Sequence, residues 1–290
     1  MLMALLLGMA FNFLRENDKT IPGIVFCSKT VLRIGVVLLG VRITFGEIGS
    51  LGIETVVIVV SGVFTTLSVG YLISRLLGLS PQFSILSAGA VAICGASAAL
   101  AIASVLPEND KLEQRTILVV VGVTTLSTLA MLFYPLVISM LNFGDVDAGI
   151  FLGATIHDVA QVVGAGYTIS QDAGDVATIV KLLRVLALVP VVLLVSLVFN
   201  RGVAGSKGSA KTVPWFLGGF CFVVVLNSMG AISDEVRVLL SQLSYWCLVC
   251  AVAALGIRTA LEELSKVGPK PVMVLATQSI VLAALVGFLL

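Results

Sequence analysis

His157, Asp158 and Gln161 stand together in GATIHDVAQVVGAGY, Gly153 to Tyr167, a stretch otherwise small or apolar. On a helix, His157 and Gln161 are four positions apart and Asp158 and Gln161 three, so one face can carry all three groups. His157 is the chain's single histidine. Such a trio can bind a polar ligand, handle a proton or tie helices together. An imidazole, with an unperturbed pKa of ~6.5, suits proton coupling. An ionisable group deep in an apolar span costs at least ~2.5–3.5 kcal/mol on insertion scales, so it needs a partner or a wet cavity. The expectation is a hydrated or occupied cavity; the alternative is a hydrogen-bonded knot that locks helices.

Four cations sit inside apolar segments against little carboxylate beyond Asp158. Lys29 and Arg33 are four apart, and Lys181 and Arg184 three apart. Lys29 and Lys181 lie near helix starts, where a long side chain snorkels to the interface. Arg33 and Arg184 are deeper. An excess of buried cation suits an anionic substrate, and a guanidinium fork suits an oxyanion. A second small-residue run, Ala88 to Ser104, contains Cys94, Gly95, Ala96 and Ser97, with Gly89 upstream. Glycines there and around His157 predict two broken helices. Half-helix N-termini at mid-bilayer attract anions. Together Cys94–Ser97, His157, Asp158, Gln161, Lys181, Arg184 and Arg33 form the expected substrate site.

Enzymatic chemistry finds no such pattern. GxSxG and HExxH are missing, and Ser97 or Cys94 would be a nucleophile only if the two broken segments touch. The five cysteines all fall in apolar segments. Cys247 and Cys250 form a C-x-x-C with no second pair or histidine to complete a metal site. No cofactor is expected, and a net charge of +1 does not point to nucleic acid.

The elements that must position these residues follow from composition. The chain has 290 residues, 59% hydrophobic and 11% charged, where a soluble domain carries about 25% charged residues. Runs such as TVVIVVSGVF do not alternate, so the spans are helices rather than barrel strands. The expected class is an all-α polytopic membrane protein, one transmembrane transporter domain over 1–290, with about ten segments: 1–14, 22–44, 53–76, 82–106, 115–140, 148–168, 175–199, 213–230, 235–257 and 271–290. The first is short for a span, which predicts an incomplete N-terminal helix. Asn200–Thr212 reads as a flexible linker. Assigning Lys and Arg to alternating loops gives nine against four and predicts both ends outside. Leu39–Gly52 aligns with Leu255–Gly268 without a gap, sharing Leu, Gly, Arg, Glu and Gly. The copies close segments an odd number apart, which predicts an inverted repeat of the kind secondary transporters use.

SAGAVAICGASAALA, GATIHDVAQVVGAGY, VKLLRVLALVPVVLL, VPWF and AALGIRT together resemble the YeiH-type family of bacterial inner-membrane proteins named as sulfate exporters. The resemblance covers nearly the whole chain. It implies kinship with the bile-acid, arsenite and riboflavin transporters: an inverted-repeat fold with a transport bundle and a scaffold. The family's Ile-Cys-Gly-Ala stretch falls on Ile93 to Ala96, its His-acid-Val-Ala-Gln on His157 to Gln161, and its Lys-x-x-Arg on Lys181 and Arg184. Two departures stand out: Asp158 where the family often has glutamate, and no further N-terminal span. The expected function is secondary transport of a small oxyanion across the inner membrane by alternating access. The rival is a structural or sensory membrane protein. Expected partners are the anion, the bilayer, a coupling proton or sodium ion, and a second copy of the chain.

Overall fold

A computed structural model describes residues 2–107, 111–199, 215–258 and 269–290. Every regular element among them is helical, and beside the short turns Asn12–Glu16 and Phe45–Ser50 they are α1 (Leu2–Ala10), α2 (Ile21–Arg42), α3 (Gly52–Leu76), α4 (Pro81–Ala92), α5 (Ala96–Ala103), α6 (Leu112–Leu141), α7 (Asp145–Thr155), α8 (Val159–Ile169), α9 (Gln171–Phe199), α10 (Trp215–Ser228), α11 (Asp234–Arg258) and α12 (Pro269–Leu289). Six of these, α2, α3, α6, α9, α11 and α12, are long and apolar enough to cross a membrane. Their outer faces present bare apolar side chains, among them Phe64, Leu136, Met140, Leu197 and Trp246. With no water to satisfy the backbone in hydrocarbon, such surfaces must be helical.

The ten expected segments coincide with helical stretches, yet four of them are not uninterrupted spans. Residues in 1–14 and 213–230 form the short helices α1 and α10. The other two break where the glycines predict, between Ala92 and Ala96 and between Thr155 and Val159. They do not continue across. A Cβ on Gly89 of α4 would strike Ile102 of α5, and Gln82 Nε2 donates to Pro107 O at 3.0 Å. The two arms of 81–103 therefore lie side by side, with both ends on the same side. In 145–169, Cβ atoms on Gly149 of α7 and Gly166 of α8 would both come close to Ala173 O, at 2.9 and 3.2 Å. That segment also turns back. The expected broken helices are re-entrant hairpins, α4–α5 and α7–α8.

The hairpins enter from opposite ends. Arg115, at the start of α6, donates to Gln82 Oε1 at 2.5 Å, placing the open end of α4–α5 beside the start of α6. Phe143, just past the end of α6, packs edge-on against Phe151 of α7. Helix packing places Arg15, Lys19, Arg75, Lys111, Arg115, Arg258 and Lys270 toward one end, and Arg42 and Arg237 toward the other. Strict alternation of segments divides the same nine cations five against four, because it sends Lys111 and Arg115 to the wrong end. The hairpins restore a bias of seven against two.

Two bundles emerge from the packing. α1, α2, α10 and α11 pack on one another, with Gly8 of α1 against Ala253, Gly35 of α2 against Leu248 and Gly40 of α2 against Phe220. α3–α9 and α12 form the second bundle around both hairpins. The bundles meet where α8 lies on α11, with Gly164 close to Val252. They also meet where Arg42 Nη2 bonds Asp175 Oδ2 at 2.7 Å while Tyr167 donates to the other carboxylate oxygen. Arg42 lies over the Tyr167 ring, 5.6 Å from its centroid.

α2 and α11, which the aligned segments close, run antiparallel, as Ser28–Arg258 and Gly35–Ser244 contacts show. Most of the second aligned segment, like the Asn200–Thr212 linker, lies outside the described residues.

Candidate functional site

The hairpin tips meet at mid-bundle. A Cβ on Gly95 would stand 3.5 Å from the His157 Cβ. Gly95 adopts φ 61° and ψ −122°, which glycine alone holds without strain. In each hairpin the arm arriving at the tip ends in carbonyls that no further turn can use. Two side chains of α9 satisfy them. Arg184 donates from Nε to Ala92 O (3.1 Å), from Nη1 to Gly153 O (3.3 Å) and Ile156 O (3.1 Å), and from Nη2 to Val91 O (2.8 Å) and Ala92 O (2.9 Å). Lys181 Nζ donates to Ile93 O (2.7 Å) and Ile156 O (2.9 Å). Both are sealed, 1% and 0% exposed. Cations at helix C-termini are where the dipole favours them. The pair thus pins both tips to α9 and to each other.

The departing arms begin at the same tips and present their N-termini to a cavity of about 410 Å³. From α5 and its cap come Cys94, Ala96, Ser97 and Leu100; from α8 and its cap come Asp158, Val159 and Ala160. Asp158 caps α8, its Oδ1 accepting from Ala160 N at 2.8 Å. Thr124, Thr125 and Thr128 of α6 add hydroxyls. The opposite wall belongs to the first bundle: Ser28, Lys29 and Arg33 of α2, Phe216 of α10 and Arg258 of α11. A π-turn at Cys27–Val31 carries Lys29. Arg33 stands 6.0 Å from the Phe216 ring centroid, and Arg258 Nη1 donates to Ser28 Oγ at 3.1 Å. Three cations and one carboxylate line this cavity among the described residues. It lies toward the cation-rich end, and the Arg42–Asp175–Tyr167 contact lies toward the other.

A family profile described as Conserved hypothetical protein 698 matches residues 1–275. A UPF0324 membrane protein of Chlorobaculum tepidum is 48% identical over 289 residues, spanning 99% of this chain and 81% of the relative. The UPF0324 membrane protein TauZ of Paracoccus denitrificans is 47% identical, spanning 99% and 86%. One from Rhizobium meliloti is 44% identical, spanning 99% and 84%. The chain belongs to the UPF0324 family. This is the YeiH-type family of the sequence resemblance. The relatives' names and the six apolar helices make it a multi-pass membrane protein. No solved structure matches it.

In this UPF0324 protein the expected site residues divide into two layers. Cys94, Ala96, Ser97, Asp158 and Arg33 line the cavity, while Gly95, His157, Gln161, Lys181 and Arg184 lie behind it. His157 is 2% exposed. His157 Nε2 and Ser279 Oγ share a hydrogen bond at 2.9 Å, and Ser279 Oγ also lies 2.8 Å from Leu275 O. Gln161 Nε2 donates to Thr128 Oγ1 at 2.8 Å. Ser127 Oγ accepts from the backbone N–H of His157 (3.2 Å) and of Asp158 (3.0 Å). The inner layer is therefore a hydrogen-bonded knot, and the outer layer faces the cavity. Lys181, expected to snorkel, is instead buried against the hairpin tips, while Lys29 is exposed and lines the cavity.

Sequence reasoning missed Arg258, which it counted as a loop charge, and the α6 hydroxyls Thr124, Ser127 and Thr128. The polar run TTLST inside an apolar helix was the available signal for the latter. Arg258 was marked by its place in the aligned LGIRT segment.

Proposed function

We propose that this protein is a secondary transporter that carries a small oxyanion, sulfate-like or a sulfonate, across the bacterial inner membrane by alternating access and without covalent chemistry. The observation that supports it is one cavity between two bundles, faced by two half-helix N-termini and by Lys29, Arg33 and Arg258. N-termini and guanidiniums both complement oxyanions. With Asp158 ionised, the lining carries two surplus positive charges, the charge of a divalent oxyanion. The positive-inside rule makes the cation-rich end cytoplasmic, so the cavity is open inward, as an exporter must be when it loads. The Arg42–Asp175–Tyr167 contact is then the outer closure, and it breaks when the bundles rock.

The test is thermal unfolding of purified protein with sulfate, sulfite, thiosulfate, taurine or carboxylates, followed by flux in proteoliposomes. One oxyanion should raise the melting midpoint and be transported, and both effects should weaken in Arg258→Ala. Midpoints that ignore every anion would refute the reading in favour of a purely structural protein.

A further inference from the structure

In secondary transporters the N-termini of half-helices take the anion, and their C-terminal carbonyls take the coupling Na⁺. This protein has both kinds of end at the hairpin tips, but the carbonyl ends are already occupied. Val91, Ala92, Ile93, Gly153 and Ile156 receive seven hydrogen bonds from Lys181 and Arg184. Ile156 O and Ala92 O each accept twice. A metal ion entering here would have to expel one of these donors into an apolar surround that offers no replacement, since both side chains are sealed. We propose that Lys181 and Arg184 are tethered cations filling the place of a coupling metal ion, so that no Na⁺ or K⁺ binds at the hairpin tips.

This deepens the transport reading, but its test does not require transport. Unfolding of the purified wild-type protein should superimpose in sodium, potassium and choline chloride at equal ionic strength. A metal ion bound to the native state would raise the midpoint with its concentration, and such a rise in Na⁺ or K⁺ over choline would overturn the proposal. Lys181→Ala empties one tethered position beside Cys94, which lines the cavity. Its midpoint should fall and be restored by ethylammonium chloride but not by tetramethylammonium chloride, which cannot donate to Ile93 O and Ile156 O. A folded Lys181→Ala protein whose midpoint responds equally to both amines would also overturn it. Should Lys181→Ala not fold, the wild-type salt comparison decides alone. If no anion shifts the midpoint while the three salts still coincide, the transport reading fails and the tethered-cation assignment stands.

Discussion

Arg33 and Arg184 are the same residue type, both deep in apolar helices, and the structure predicts opposite consequences when each is replaced by methionine. Methionine keeps the unbranched apolar stem of the side chain and removes its charge and its donors. At Arg184 five hydrogen bonds disappear. Ile156 O retains Lys181, so Val91 O, Ala92 O and Gly153 O are the acceptors stripped. A buried acceptor left unpaired costs about 1–3 kcal/mol. Three of them amount to roughly 3–9 kcal/mol before relaxation, against a typical whole-domain stability of about 5–15 kcal/mol. Both hairpin tips lose their guanidinium anchor together and keep only Lys181, on Ile93 O and Ile156 O. Arg184→Met should therefore give a large fall in melting midpoint in detergent, with or without anion. Arg33 faces an open cavity and stacks near Phe216. Arg33→Met should leave the anion-free midpoint within about 1 kcal/mol of wild type, as for an exposed charge. What it should lose is the shift produced by the stabilising oxyanion. Differential scanning fluorimetry on both variants, each with and without anion, reads all four values. An Arg184→Met protein as stable as wild type, or an Arg33→Met protein that keeps its full anion response, refutes the division into anchor and ligand-facing arginines.

The re-entrant path of 81–103 predicts that Gln82→Cys and Pro107→Cys, combined in a background free of the native cysteines, are bridged by a short bifunctional maleimide and shift mobility, since Gln82 Nε2 lies 3.0 Å from Pro107 O. If the segment spanned the bilayer its ends would be about 30 Å apart and no crosslink would form. At the closed end, Asp175→Asn weakens the contact with Arg42. A partly exposed ion pair is worth roughly 0–1 kcal/mol, so the midpoint should barely move, while hydrogen exchange in the turn between α8 and α9 should quicken. Unchanged exchange there would remove the pair from the closure.

Much of this protein is legible in its sequence, and the reasons for the rest are physical. Helical periodicity and hydropathy are local, so the segments and the breaks at Gly95 and Asp158 fall where glycine and polar residues put them. Whether the chain then continues or reverses is decided by tertiary packing: by Ile102 over Gly89, and by α9 presenting Ala173 to both Gly149 and Gly166. No residue within the hairpins announces it. Charge carried a usable hint. Alternating spans leave Lys111 and Arg115 on the cation-poor end, and a single re-entrant segment before α6 moves both across. The fate of each cation was hidden for a related reason. Lys181 and Arg184 share one helix face, and that face meets carbonyls rather than a cavity because both hairpins stop there. Lys29 and Arg33 share another, and theirs meets the gap between bundles. A side chain's type says what it can bind; which partner it gets depends on where two distant turns happen to end.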